Sequence, residues 1–255
     1  SFPTRRSSDL LAPYLKAVAA ERVRGELDCL LSLPEGTPLL QQAWDDGLLP
    51  VWLPRVKASH LQQLQTIDQA AAQLHERWPD YSTLLQGWIK EKSTPGLHRS
   101  WLKATKLSQL LAEDPDAAEA TLSNLKYSRA EQQAVISVLM GWQFLRRAVG
   151  QGAASAGQQY HLFKITGAGF VGVALLGLAH GVPQPIMVPL MERYLNPDDP
   201  VAHPKTLVSG RDLIQDLGLK PGPQIGELLE SVHLAQAEGV VTTRDEALAW
   251  LRNQL

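Results

Sequence analysis

Apolar residues recur at three- and four-residue steps along nearly the whole chain, a spacing that predicts helices throughout. Leu15, Val18, Ala19, Val23, Leu27, Leu30 and Leu31 define the first, over residues 11–33, and Pro34-Glu35-Gly36 ends it. A short helix over 38–49 follows, then amphipathic helices over 56–74 and 81–92, parted by Trp78-Pro79-Asp80 and followed by a break at 93–96. Helices over 101–111, 117–125 and 130–145 come next, split by Asp114-Pro115 and by Lys126-Tyr127-Ser128-Arg129. In the second connector, Ser128 and Glu131 have the spacing of a capping box. The small, polar run at 150–159 reads as a linker and as the main internal boundary. Helix spacing resumes over 160–179. Pro183, Pro185 and Pro189 then punctuate the approach to a helix through Met191-Glu192-Arg193-Tyr194. The fold class is all-α.

Residues 209–229 carry more specific punctuation. Asp212, Leu213, Ile214 and Leu217 make a short periodic turn that Gly218 can close as a left-handed cap, and Pro221-Gly222-Pro223 breaks the backbone before helical spacing resumes at Ile225. The pattern is a helix, a rigid elbow and a second helix. Pro223 suits a first helical turn, and Gly222 and Gly226 leave its approach free of side chains. Unpaired N–H groups there favour an anion, and Lys205, Arg211 and Lys220 stand nearby in sequence, as for a nucleic-acid phosphate. The same spacing also suits a plain hairpin whose elbow only turns the chain.

Composition narrows the class. Apolar content of 44% and charge of 20% are those of an ordinary globular protein, and a formal charge of −2 means that any RNA contact must come from local patches. The single cysteine, Cys29, excludes an internal disulfide framework and agrees with a reducing cytoplasm. The longest apolar run, residues 170–179, is too short to span a bilayer, so no membrane partner is expected. Gly167, Gly169 and Gly172 fit GxGxxG, but the helical context favours a glycine-rich helix packed closely on a neighbour over a dinucleotide site. The seven histidines lie far apart with no HxxxH or HxxEH pair, and the adjacent Asp45 and Asp46 point to different sides of a helix, so no metal site is expected in this chain.

The run from Asp212 to Trp250 resembles the carboxy-terminal tail of the bacterial tRNA nucleotidyltransferase and poly(A) polymerase family, which includes the CCA-adding enzymes. Gly218, Pro221, Gly222, Pro223, Ile225, Gly226 and Leu229 match its GxxPGPxIGxxL elbow, and Gly239, Thr243, Glu246 and Ala247 match the turn and the last short helix that lie beyond it in the family. Glu21, Arg22, Glu26 and Leu27 resemble an ERxxxEL element of the family's neck helix, and Lys126-Tyr127-Ser128 resembles an L(R/K)(Y/F)S element of its body. The resemblance implies the end of a neck at 11–33, a helical body at 34–159 and a smaller helical tail at 160–255. It implies contact with the acceptor and T arms of tRNA and not with DNA. CTP or ATP and Mg²⁺ would be handled by an amino-terminal head that precedes this stretch, so the piece alone is expected to be inactive.

Lys126, Tyr127 and Arg129 offer a basic, aromatic corner of the kind that stacks on or pairs with RNA. Glu21 with Arg24, and Arg22 with Glu26, sit at helix pairing distances, so bracing and direct contact compete for these arginines. Ser1 to Leu10 reads as the translation of a common short-read sequencing adapter and is taken as foreign to the protein. Within the family, CCA, CC-only, A-only and poly(A) addition stay open. A stand-alone helical protein-interaction module is the competing class; it predicts an exposed apolar patch and affinity indifferent to salt.

Overall fold

The computed structural model describes residues 12–33, 36–87, 99–152 and 154–255. The adapter-like segment at 1–10 and the break at 93–96 lie outside them. The described residues form an all-α protein with no strand or sheet. A 3₁₀ turn at Ala12–Ala17 precedes α1 (Ala20–Ser32), α2 (Gly36–Asp45), α3 (Leu49–Trp52), α4 (Ala58–Arg77) and α5 (Pro79–Gln86). Then come α6 (Trp101–Ser108), α7 (Pro115–Asn124), α8 (Arg129–Gly150), α9 (Ala156–Thr166) and α10 (Phe170–Ala179). The chain ends with α11 (Gln184–Leu195), α12 (Gly210–Leu217), α13 (Pro223–Ala237) and α14 (Arg244–Arg252).

Several expected elements differ: the helix over 38–49 ends at Asp45, and the one over 160–179 is interrupted by a 3₁₀ turn at Gly167–Gly169. The first helix breaks where Ala19 turns extended (ψ 132°), leaving a 3₁₀ turn before α1, because one alanine can leave the helix without disturbing the apolar period. The expected linker shrinks to residues 151–155. Ser155 accepts from the Gln158 amide at 3.2 Å and its own amide donates to Gln158 Oε1 at 2.9 Å, a capping box that opens α9 inside a low-complexity run.

The chain divides into two compact units, residues 1–145 with 166–183, and residues 146–165 with 184–255. In the first, α10 packs on α4, α5 and α6, and α1 packs on α2 and α6. Gly169 and Gly172 permit the close approach of α10: a Cβ on Gly172 would lie 2.3 Å from Thr105 Oγ1, and one on Gly169 2.5 Å from Ser137 Oγ. The GxGxxG spacing is therefore a packing surface. The stretch Ala156–Ala179 is long and apolar enough to cross a membrane by length and composition, but 67% of its most apolar 18-residue window is buried inside the protein, as in a core helix.

The first unit is organised around α6, whose Lys103 and Lys106 are 1% and 0% exposed. A buried ammonium costs several kcal/mol unless it is paired, so each lysine must draw in carboxylates. Lys103 Nζ lies 2.7 Å from Glu131 Oε1 on α8 and 3.1 Å from Asp28 Oδ1 on α1. Lys106 Nζ lies 2.9 Å from Asp68 Oδ1 on α4 and donates to the Leu33 carbonyl at 3.3 Å. Asp68 Oδ2 also accepts the Thr37 hydroxyl of α2 at 2.6 Å. Two lysines one turn apart thus tie α6 to α1, α2, α4 and α8.

Burial raises the Asp28 carboxyl above its ordinary range, outweighing the pull of Lys103 and the Tyr127 hydroxyl. Burial pushes Glu131 upward too, but Lys103, Ser128 and Arg99 together overcome it and hold that carboxyl below its usual value.

The second unit has its own core of Val208, Leu213, Val232, Ala235, Val241, Ala247, Leu248 and Leu251, where α12, α13 and α14 meet. Lys103→Met takes the ammonium from Asp28 and leaves Glu131 only the longer contact to Arg99 at 3.9 Å, and the expected cost is about 3–5 kcal/mol in chemical denaturation. Adding Glu131→Gln to that variant should recover part of the loss.

Candidate functional site

The elbow forms as its sequence dictates. Ser209 and Asp212 make a capping box that starts α12, and Gly218 (φ 68°) ends it in the left-handed region, where a Cβ would be strained. Pro223 then occupies the first turn of α13. Lys220 to Gln224 are all exposed, as is Arg211. A side chain at Gly222 or Gly226 would meet nothing in the protein within 4 Å. The start of α13 is therefore bare. Among the described residues Arg211 and Lys220 make no ion pair, whereas Lys205 is bound to Asp198 at 2.8 Å, so its charge is already partnered.

The second candidate, the turn before α8, is assembled differently from expectation. Lys126 and Arg129 are exposed, but Tyr127 is only 4% exposed and its hydroxyl donates to Asp28 Oδ1 at 2.8 Å. Its ring lies 5.3 Å below Lys103 Nζ, so this aromatic face is spent on a buried lysine and is not offered to a base. Burial, with Asp28 alongside, drives the Tyr127 hydroxyl well above its ordinary range, which keeps it a donor. Ser128 and Glu131 do form the expected capping box, with the Glu131 amide 3.4 Å from Ser128 Oγ and Glu131 Oε2 3.3 Å from the Ser128 amide.

Lys126 has φ 61°, the position after a helix that glycine ordinarily takes. A non-glycine residue there costs about 1–2 kcal/mol.

On α1, the pairs Glu21 with Arg24 and Arg22 with Glu26 do not form among the described residues. Arg24 instead donates to the Lys126 carbonyl and lies 5.9 Å from the Tyr127 ring centroid. The arginine braces the turn before α8. Glu21, Arg22 and Glu26 remain exposed on the helix. Among the described residues no group of three or more His, Cys, Asp or Glu could hold a metal ion.

Comparison with known proteins is decisive for the family. The profile of tRNA nucleotidyltransferase domain 2 matches residues 97–251, which include the Lys126 turn and the elbow. The chain belongs to the tRNA nucleotidyltransferase family. Residues 4–59, including α1, match the profile of the RNA- and SrmB-binding site of polymerase A.

The chain is 35% identical to a CC-adding tRNA nucleotidyltransferase of Synechocystis over 94% of its own length and 56% of that protein. It is 28% identical to an A-adding tRNA nucleotidyltransferase of Deinococcus radiodurans, covering 96% of this chain and 61% of the relative. It therefore spans little more than half the length of these curated relatives. The structure of a CCA-adding enzyme in apo form I shares the fold, with a TM-score of 0.59 at 14% identity over 99% of this chain and 55% of that one.

In this member of the family two further groups of charged residues bear on the candidate surfaces, and sequence reasoning did not find them. The Lys103 cluster underlies the turn at Lys126. Its only signal was two lysines three residues apart, on one face of a short helix that also carries Thr105 and Ser108. The other is Arg244, which starts α14 and lies 2.7 Å from Asp212 and 2.5 Å from Asp216 on α12. It engages the two carboxylates that share α12 with Arg211, so neither of them is paired with that arginine.

The Arg244 and Ser209 hydrogen bonds hold the Asp212 carboxyl well below the usual carboxylate range. A carboxylate depressed on folding stabilises above its unfolded value, about pH 4, and that contribution is lost as pH falls below it. Asp212→Asn should therefore flatten the acid limb of the tail's unfolding profile, read by Trp250 fluorescence, and leave the profile at neutral pH parallel to that of the wild type.

Proposed function

We propose that this chain is the tRNA-gripping part of a nucleotidyltransferase that adds or repairs the 3′ CCA end. In this reading α1 is the end of a neck, residues to about 159 form a body, and the remainder is a tail. The observation that carries it is the elbow: Lys220, just ahead of α13, and Arg211, on α12, are exposed and make no ion pair among the described residues, and two glycines leave the start of α13 open. A phosphate can approach that backbone closely and collect both its N–H groups and the two charges.

In this reading nucleotidyl transfer from CTP or ATP, with its Mg²⁺, is the work of the family's amino-terminal head, and the task of this stretch is binding and orienting tRNA in the cytoplasm, with no activity by itself. The greater identity to a CC-adding than to an A-adding relative makes CC addition the first activity to assay in the intact protein. Poly(A) addition is the family alternative.

The test is tRNA binding by this chain across a salt series. Replacing Arg211 and Lys220 together by Ala should weaken binding and reduce the slope of log affinity against log salt by about two. An unchanged slope rejects the elbow as the phosphate site. Gly226→Ala separates fold from contact. It should stabilise α13 by about 0.5–1 kcal/mol, because the position is open, yet weaken tRNA binding by obstructing the approach.

One observation favours the protein-interaction reading instead. A groove of about 380 Å³ is lined by apolar side chains that include Leu15, Val18, Val23, Leu30 and Trp52. Binding through it would be indifferent to salt, the opposite of the result expected for tRNA.

A further inference from the structure

Lys126 is the only non-glycine residue with positive φ among those described, and it stands where the end of α7 would ordinarily take a glycine. The turn is closed by the Lys126 amide on the Ser123 carbonyl at 3.0 Å and the Tyr127 amide on the Leu122 carbonyl at 3.1 Å. A glycine would make the same bonds without strain, so the lysine side chain has a use outside the turn. That side chain and Arg129 are exposed and make no ion pair among the described residues. The nearest acid in sequence, Glu131, is spent inward on Lys103 and Ser128. Two positive charges therefore face outward from a strained turn whose underside is fixed by Tyr127 on Asp28. The remaining support is Arg24, which reaches from α1 over the Tyr127 ring to the Lys126 carbonyl.

We infer that Arg24 is a positioning residue for RNA binding: by holding the Lys126 carbonyl it keeps the turn in its left-handed form, from which Lys126 presents its ammonium to a backbone phosphate. This rests on the tRNA-binding reading above and adds a second contact region, on the first unit, to the elbow on the second. Arg24 itself touches no phosphate. Its guanidinium is occupied by a protein carbonyl and lies over a buried ring. It acts by denying the turn an alternative conformation. Lysine at position 24 would not substitute fully, because a point charge lacks the planar group that lies against the ring while donating.

The experiment is a double-mutant cycle in this chain, read as the salt slope of binding to a tRNA transcript that lacks its terminal CCA. Lys126→Ala should lower the slope by about one, the loss of one phosphate contact. Arg24→Ala should lower it by about one as well, and the double variant by about one, not two, because both changes remove the same contact. Hydrogen exchange at the Tyr127 amide should quicken in Arg24→Ala, while thermal melting shows that the fold persists on its Asp28–Lys103 anchor.

A slope that falls by two in the double variant overturns the inference, since Arg24 would then bind phosphate directly. A slope unchanged in Arg24→Ala, with only melting affected, overturns it too, leaving a purely structural arginine. If Lys126→Ala has no effect while the elbow variants do, the turn is not a contact and the inference falls alone. If neither region affects the slope, the tRNA-binding reading itself has failed.

Discussion

A lysine ammonium with no access to water must be met by carboxylates, and in the first unit this requirement arises twice on one short helix. The charges of Lys103 and Lys106 can be satisfied only when α1, α4 and α8 bring Asp28, Asp68 and Glu131 to the right height along α6. Apolar contacts tolerate small slips of one helix along another, whereas a buried ion pair does not. The packing of Leu31, Leu64 and Val138 supplies the drive to collapse, and the lysines add a pairing requirement that apolar burial alone does not impose.

That constraint reaches the surface through Tyr127. Its hydroxyl is committed to Asp28 and its ring to Lys103, so the chain just before α8 is anchored from below. The exposed Lys126 and Arg129 project from an anchored base, and a basic corner held in this way loses less conformational freedom on meeting a phosphate than two lysines on a free loop would. Arg24 completes the support from α1, joining the segment that matches one family profile to the segment that matches the other.

The tail achieves order by other means. Its boundaries are set by local punctuation: capping boxes at Ser209 and Thr243, and left-handed glycines at 218 and 239. These are largely the positions on which the family resemblance rests. Gly218, Gly239, Thr243, Glu246 and Ala247 shape or fill the three-helix core, and Gly222 and Gly226 alone among the matched glycines face open space without a left-handed turn to explain them. Much of the resemblance therefore reports how the tail folds. The two open glycines, beside Lys220, are the part of the motif that the protein's own packing does not explain.

The sequence by itself determined the fold class, most helix ends and the family, because apolar period, caps and left-handed glycines act within a few residues of one another. Ser128 with Glu131 and Gly218 were legible for that reason, and Ser155 with Gln158 carried the same signal beneath a run of small residues. What only the tertiary structure decided depends on partners distant in sequence. Tyr127 looked like a stacking surface until Asp28, 99 residues earlier, took its hydroxyl. Arg24 sat at pairing distance from Glu21, yet its bond is to a carbonyl 102 residues away. Arg244, unremarkable in the chain, is paired with two carboxylates on α12. A charge's role is set by the nearest opposite charge or dipole in space, and local spacing does not encode that neighbour.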